Sequence, residues 1–258
     1  MRPRVLRAPV VNPAPTATPG RRGAAEFVGT GALTALVVGS GIRASSLSQD
    51  AGLQLLACTL ASVLGLAVLL QVFEPLSGGH LNPVVTLTAW WSERTLPGRE
   101  VTLYLAAQTA GAIAGTVLAD SMFGRPLVAW STQHRGSGPL LVSEALATAG
   151  LVFVIAALAR TGRAAYGPAL VACYIGAATW CTSSGACANP ALSIGRAFTD
   201  TASGIAPSSL IGFLAAQLLG AAAGTLVAGL LFGAPRRTAP REPKVPGAPL
   251  VGAATGSQ

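Results

Sequence analysis

Charge is what this chain has least of: only 10% of its 258 residues are Asp, Glu, Lys or Arg, against roughly a quarter in an ordinary soluble domain. A wholly soluble globular domain is therefore a poor reading. Aromatic residues are scarce too, at 5%. The basic residues form no stripe and do not alternate with aromatic rings, so the net charge of +8 does not describe a nucleic-acid surface. The two histidines, His80 and His134, have no Ser–His or metal-ligand cluster around them. Nothing assembles a reaction centre, so no enzyme, metal site or cofactor is called for. The four cysteines, Cys58, Cys173, Cys181 and Cys187, lie in apolar surroundings without metal or redox spacing and read as small buried hydrophobes.

What is abundant is apolar: 51% of residues are hydrophobic, and 31 are glycine. Small residues let helices approach closely in lipid, whereas in a soluble helix so many glycines would cost stability. Crossing a hydrocarbon core of ~30 Å takes ~20 mostly apolar residues. Six segments qualify: 26–43, 53–73, 101–123, 140–159, 164–182 and 209–233. Residues 1–24, rich in Pro, Ala and Arg and without a leader-like apolar run, read as a disordered tail, and 234–258, with five prolines, as a second. Six spans put both tails on one side. Thirteen Lys and Arg fall on that side and only Arg43, Arg125, Arg135 and Arg196 on the other, which predicts cytoplasmic termini in a cell membrane.

The chain repeats itself. LAAQTAGAIAGTVLADSMFG, residues 105–124, aligns without gaps on LAAQLLGAAAGTLVAGLLFG, residues 214–233, with 12 of 20 positions identical. Upstream, Glu26 answers Glu144, and HLNPVVTL from His80 answers CANPALSI from Cys187. Each half, about 25–124 and 140–233, holds three spans, so the second must enter the membrane from the opposite face.

Residues 80–91 and 187–198 are apolar yet too short to cross, and each follows a loop rich in Gly and Ser. Such a segment fits a re-entrant loop buried in protein or facing water. Asn is a favoured helix cap and Pro a favoured first residue, so each stretch is expected to start a half-helix near mid-bilayer. Two such half-helices meeting N-terminus to N-terminus would converge their positive ends, and each Asn would offer N–H groups to a passing solute.

Paired Asn-Pro boxes in inverted three-helix halves resemble the aquaporin, or major intrinsic protein, family over about residues 24–233. The resemblance implies an all-α membrane protein with six transmembrane helices plus two re-entrant half-helices. It also implies a homotetramer with one pore per subunit, for which Gly111 with Gly115 and Gly220 with Gly224 permit packing. The boxes would be Asn82-Pro83-Val84 and Asn189-Pro190-Ala191; Asn12-Pro13-Ala14 in the tail has no such context. By the same resemblance Glu26 and Glu144 brace the re-entrant loops.

Two departures bear on function. Val84 stands where the family usually has Ala, near the constriction or a helix seam. Leu192 stands where water-selective relatives place the filter Arg, and the other filter positions are expected at Ser62 (or Leu64, if the match slips), Ala177 and Ala186. Such a filter would be wide and apolar. Leu192 followed by Gly-Arg-Ala-Phe is similar to a bacterial subgroup associated with arsenic handling. Arsenous acid, glycerol and water are thus the expected solutes, and a water-selective pore is the alternative. Arg196 lies one helical turn beyond Leu192, either as a displaced vestibule charge or as an Arg that snorkels to the interface or pairs with Asp200. His80 is either a pH-sensitive gate or a packed loop residue, Glu74 either tunes ion entry at a pore mouth or is a solvated loop charge, and Cys181 and Cys187 could bind thiophiles beside the second loop. A proton-coupled transporter using Glu26 and Glu144 is the rival class.

Overall fold

The computed structural model describes residues 17–94 and 96–234, and these are helical or in short connections. Eight helices follow in order: α1 (Pro19–Leu47), α2 (Ala51–Ser77), α3 (Pro83–Trp91), α4 (Gly98–Met122), α5 (Gly138–Arg160), α6 (Gly167–Cys181), α7 (Pro190–Gly195) and α8 (Pro207–Phe232). A 3₁₀ turn, Ala164–Tyr166, leads into α6, and another, Arg196–Phe198, extends α7. Six of these helices, α6 together with its leading turn from Ala164, are long and apolar enough to cross a membrane. At 1.5 Å per residue α3 advances about 13 Å and α7 less, so neither can cross.

The expected spans are all found, most beginning a few residues earlier, while the fifth is shorter than expected. The largest difference is at α1, which begins at Pro19, inside the segment 1–24 read as a disordered tail. Thr18 caps this helix by accepting from the Arg21 N–H, and Pro19 occupies a first-turn position where its missing N–H is not needed. Arg22 then ties the first turn to α4, pairing with Glu100 at 2.7 Å and donating to the Tyr104 hydroxyl at 3.0 Å. The composition of the tail concealed these anchors. Residues 1–16 and 235–258, including Asn12-Pro13-Ala14, lie outside the described residues.

Glycine sets the closest contacts, and it does so inside the chain. A Cβ on Gly111 or Gly115 of α4 would run into the carbonyls of Phe27 or Gly31 of α1. In the second half, Gly220 and Gly224 of α8 meet the carbonyls of Ala145 and Ala149 of α5 in the same way. These four glycines, read in the sequence as permitting packing between subunits, make their close contacts within the α1–α4 and α5–α8 pairs. The two pairs are the repeat made visible. They carry α3 and α7 between them.

Candidate functional site

Each half-helix begins at an Asn whose side chain does two things. The Asn82 Oδ1 accepts from the Val84 N–H at 3.0 Å, and the Asn189 Oδ1 accepts from Ala191 and Leu192, capping α3 and α7. The amide nitrogens then cross over: Asn82 Nδ2 donates to the Ala188 carbonyl and Asn189 Nδ2 to the Leu81 carbonyl, both at 2.8 Å. Leu81 and Ala188 are themselves in the left-handed region, at φ 48° and 47°. For residues with a Cβ that conformation costs on the order of 1–2 kcal/mol, and the reciprocal bonds offset it. An amide has two N–H donors; with one committed to the crossing bond, the other is left for the lumen that Asn82 and Asn189 line.

Behind the lining stands a second, fully buried layer. Glu26 accepts from the Ser77 hydroxyl and the His80 N–H on one oxygen, and from the Leu81 N–H and Gln108 Nε2 on the other, at 2.6–3.0 Å. An intramembrane carboxylate with no partners would cost about 3 kcal/mol or more. Four donors offset that cost and fix the first loop. Gln108 also donates to Thr86 of α3 at 2.9 Å. The second half repeats the device with Glu144, the Ala188 N–H, Gln217 and Ser193, except that Glu144 Oε2 has no partner. Neither Glu lines the lumen, which removes the geometry a coupling carboxylate would need.

A continuous cavity of about 570 Å³ runs past both Asn residues. Of the expected filter positions Ser62, Ala186 and Leu192 line it. Leu64 is 67% exposed and absent from the lining, so the slipped match fails. Ala177 is a correction: it is exposed but does not line the cavity, where Ile175 and Thr179 do. Counting back from the box overlooked that residues two apart on a helix face different ways. Val84 is fully buried against Val152 and Ala221, so its extra methyls fill a helix seam rather than the constriction. Leu192 packs with Leu33, Leu66 and Phe213. Pro83, Pro190 and Ala191 are buried too, as the first residues of their half-helices.

The two ends differ in charge. Near the termini Glu74 and Glu93 line the cavity, and Glu93 pairs with Arg160 at 2.9 Å. At the remote end the α4–α5 loop lies on the stretch after α7: Ala129 and Ser131 donate to the Phe198 and Ala197 carbonyls, and Ala206 donates to that of Gln133. There Arg196 lines the cavity and donates to the Ser203 carbonyl. It does not pair with Asp200. That carboxylate accepts the Thr132 N–H and hydroxyl, each at 2.9 Å, which hold it below the usual carboxylate range.

His80 sits in the lining with Nδ1 3.1 Å from Thr86 Oγ1 and its ring edge-on to Tyr104. Cys187 lines the cavity and is buried, whereas Cys181 is exposed and outside the lining. Sequence reasoning missed Gln108, Gln217, Thr86, Ser193 and the lining Arg135. The two Gln were signalled by the repeated Leu-Ala-Ala-Gln. Among the described residues no group of three His, Cys, Asp or Glu is placed to hold a metal ion.

Six spanning helices around two facing, Asn-capped half-helices and a common lumen define a membrane channel. The chain belongs to the major intrinsic protein family, whose sequence model matches residues 15–227. It is 48% identical over 201 residues to the aquaglyceroporin AqpS of Rhizobium meliloti, covering 78% of this chain and 85% of that one. It is 35% identical over 136 residues to the propanediol uptake facilitator PduF of Citrobacter freundii, over 52% of this chain and 49% of the relative. The aquaglyceroporin structure from Plasmodium falciparum superposes with a TM-score of 0.63 at 22% identity, covering 84% of this chain and 96% of that one, a likeness of fold. The protein is a multi-pass channel for small solutes, not an enzyme.

Proposed function

We propose that the protein passively conducts small neutral solutes larger than water, with arsenous acid and glycerol as the solutes and water as a co-permeant. The observation that carries this reading is the filter. Leu192 occupies the position of the missing Arg, and Ser62, Ala186, Ile175 and Thr179 share the lining. A wall with few polar groups discriminates weakly by hydrogen bonding, and width then decides what passes. The names of the relatives, an aquaglyceroporin and a propanediol facilitator, support solutes of polyol size. Water selectivity would need a cation at the position where Leu192 stands; the cations that do line the cavity, Arg135 and Arg196, come from the mouth remote from the termini.

The half-helix N-termini, each with roughly half a positive charge, repel cations at mid-bilayer, and Arg196 adds a charge at the outer mouth. The tails face the cytoplasm, following the Lys and Arg count. Four copies assemble, with the exposed Leu53, Leu56, Leu60 and Leu64 of α2 supplying an apolar face. Stopped-flow measurement on liposomes compares water, glycerol and arsenous acid. Glycerol or arsenous acid entry well above that of empty liposomes is expected; fast water flux with neither solute entering overturns the filter argument.

A further inference from the structure

Resting on the channel reading, we infer that the mouth remote from the termini is a binding site for small oxyanions, built from Arg135 and Arg196. Both side chains line the cavity although they come from different elements, the α4–α5 loop and the turn that ends α7. Arg135 Nε and Nη2 donate to the carbonyls of Gly204 and Ala202, each at 2.9 Å, and Arg196 Nε donates to that of Ser203. Three consecutive residues of backbone therefore hold both guanidinium groups in place. Their acceptors are neutral. Among the described residues neither Arg forms an ion pair with a carboxylate.

The nearby acids are bonded to other groups, and their unpartnered oxygens, Asp120 Oδ2 and Glu144 Oε2, form no ion pair with either Arg. Asp200 accepts from Thr132, Asp120 takes Arg125 and Thr199, and Glu144 takes the Ala188 N–H and Gln217. Burial, and then the neighbouring charge of Arg196, push Arg135 down to about 10, so it is still cationic at neutral pH. Two like charges held together in a concavity repel, and an anion between them relieves that repulsion. A guanidinium offers five N–H donors in a planar fork. Arg135 Nη1 has no hydrogen-bond acceptor among the described residues, and the Nη atoms of Arg196 have nothing stronger beside them than the Cys187 thiol. These free donors suit the paired oxygens of a small oxyanion better than a spherical halide. The apolar Leu192 and Ala186 beyond offer a charged solute no compensation, so the oxyanion stops at the mouth and obstructs neutral flux.

The test uses the full-length protein in liposomes at pH 7 and inorganic phosphate as the probe, with chloride at matched ionic strength as the reference. Permeability to glycerol, or to water if glycerol does not pass, is read by stopped flow. Phosphate at ~50 mM should lower it at least about twofold, as a charge-assisted site of millimolar affinity requires. The ratio of fluxes in phosphate and chloride should return towards one in Arg135→Gln and in Arg196→Gln. Because either change could loosen the loop, the thermal midpoint of the solubilised wild type is measured as well, and phosphate should raise it over chloride. Equal wild-type fluxes in the two salts, or glutamine variants that fold and are as phosphate-sensitive as wild type, overturn the proposal. No neutral flux in chloride would instead overturn the channel reading on which it rests.

Discussion

Gln108 stands between Glu26 and Thr86, its Nε2 2.7 Å from the carboxylate and 2.9 Å from the hydroxyl, so one amide ties α4 to both the α1 carboxylate and the first half-helix. Gln217 does the same between Glu144 and Ser193 at 2.7 and 2.9 Å. The copies differ in one atom. Both oxygens of Glu26 accept, whereas Glu144 Oε2 has no partner.

This asymmetry predicts unequal responses to the same substitution. In Glu26→Gln the new NH₂ must face a backbone or side-chain N–H, donor against donor, and the loss should be on the order of 3 kcal/mol. In Glu144→Gln the NH₂ can take the place of Oε2, and the loss should be about 1 kcal/mol or less. Thermal unfolding in detergent measures both. Equal destabilisation would contradict the assignment.

The crossed amides make Asn82→Asp informative. The cap on Val84 survives because an oxygen remains, but the donor to Ala188 is lost and a negative charge enters where two helix ends converge. Cation conductance should appear in planar bilayers, and neutral flux should fall by about tenfold, equivalent to ~1.4 kcal/mol of barrier. A variant as ion-tight as wild type would show that the amide donors do not exclude cations.

Leu192→Arg places a guanidinium in the lining where a leucine now packs. Glycerol permeability should drop by at least about tenfold while water permeability changes less, since the added hydrogen-bonding bulk narrows the wall. Stopped-flow traces on the same liposomes read both. A parallel fall in the two would mean that the pore is merely blocked.

Gly115→Ala puts a methyl against the Gly31 carbonyl, whereas Gly229 has nothing within 4 Å of a Cβ. Overpacking of a tight helix contact costs about 1–3 kcal/mol. Gly115→Ala should therefore lower the thermal midpoint, and Gly229→Ala should leave it within error or raise it slightly through helix propensity.

Asp200 predicts where the remote loops loosen. Its carboxyl is held low by the Thr132 N–H and hydroxyl, so its contribution is fully present above the unfolded value of about 3.9 and is lost as pH falls through the lower folded value. Hydrogen exchange at the Thr132 amide should be constant from neutral pH to about 4 and should quicken, after correction for intrinsic rates, only in more acidic solution.

The spans, the inverted halves and the two Asn-Pro turns were legible because they rest on local chemistry: apolar length, an internal repeat, a cap followed by a proline. Glu26 and Glu144 stood out as carboxylates where lipid would reject them. Gln108 and Gln217 did not, since a neutral amide inside an apolar helix gives no comparable signal. Ala177 was misplaced because distance along the chain does not fix which side of α6 meets the lumen. Arg135 was invisible as a lining residue for another reason. Its place depends on how a loop of some fifteen residues folds over Ala202 to Gly204, and that path is set by contacts between segments far apart in sequence.

Asn82 must wait for Ala188, 106 residues downstream. During synthesis the first re-entrant loop therefore has no acceptor for its amide until α3 and three further spanning helices, α4 to α6, have been made. The two halves are joined late, by a latch whose second part is made only after the fifth span.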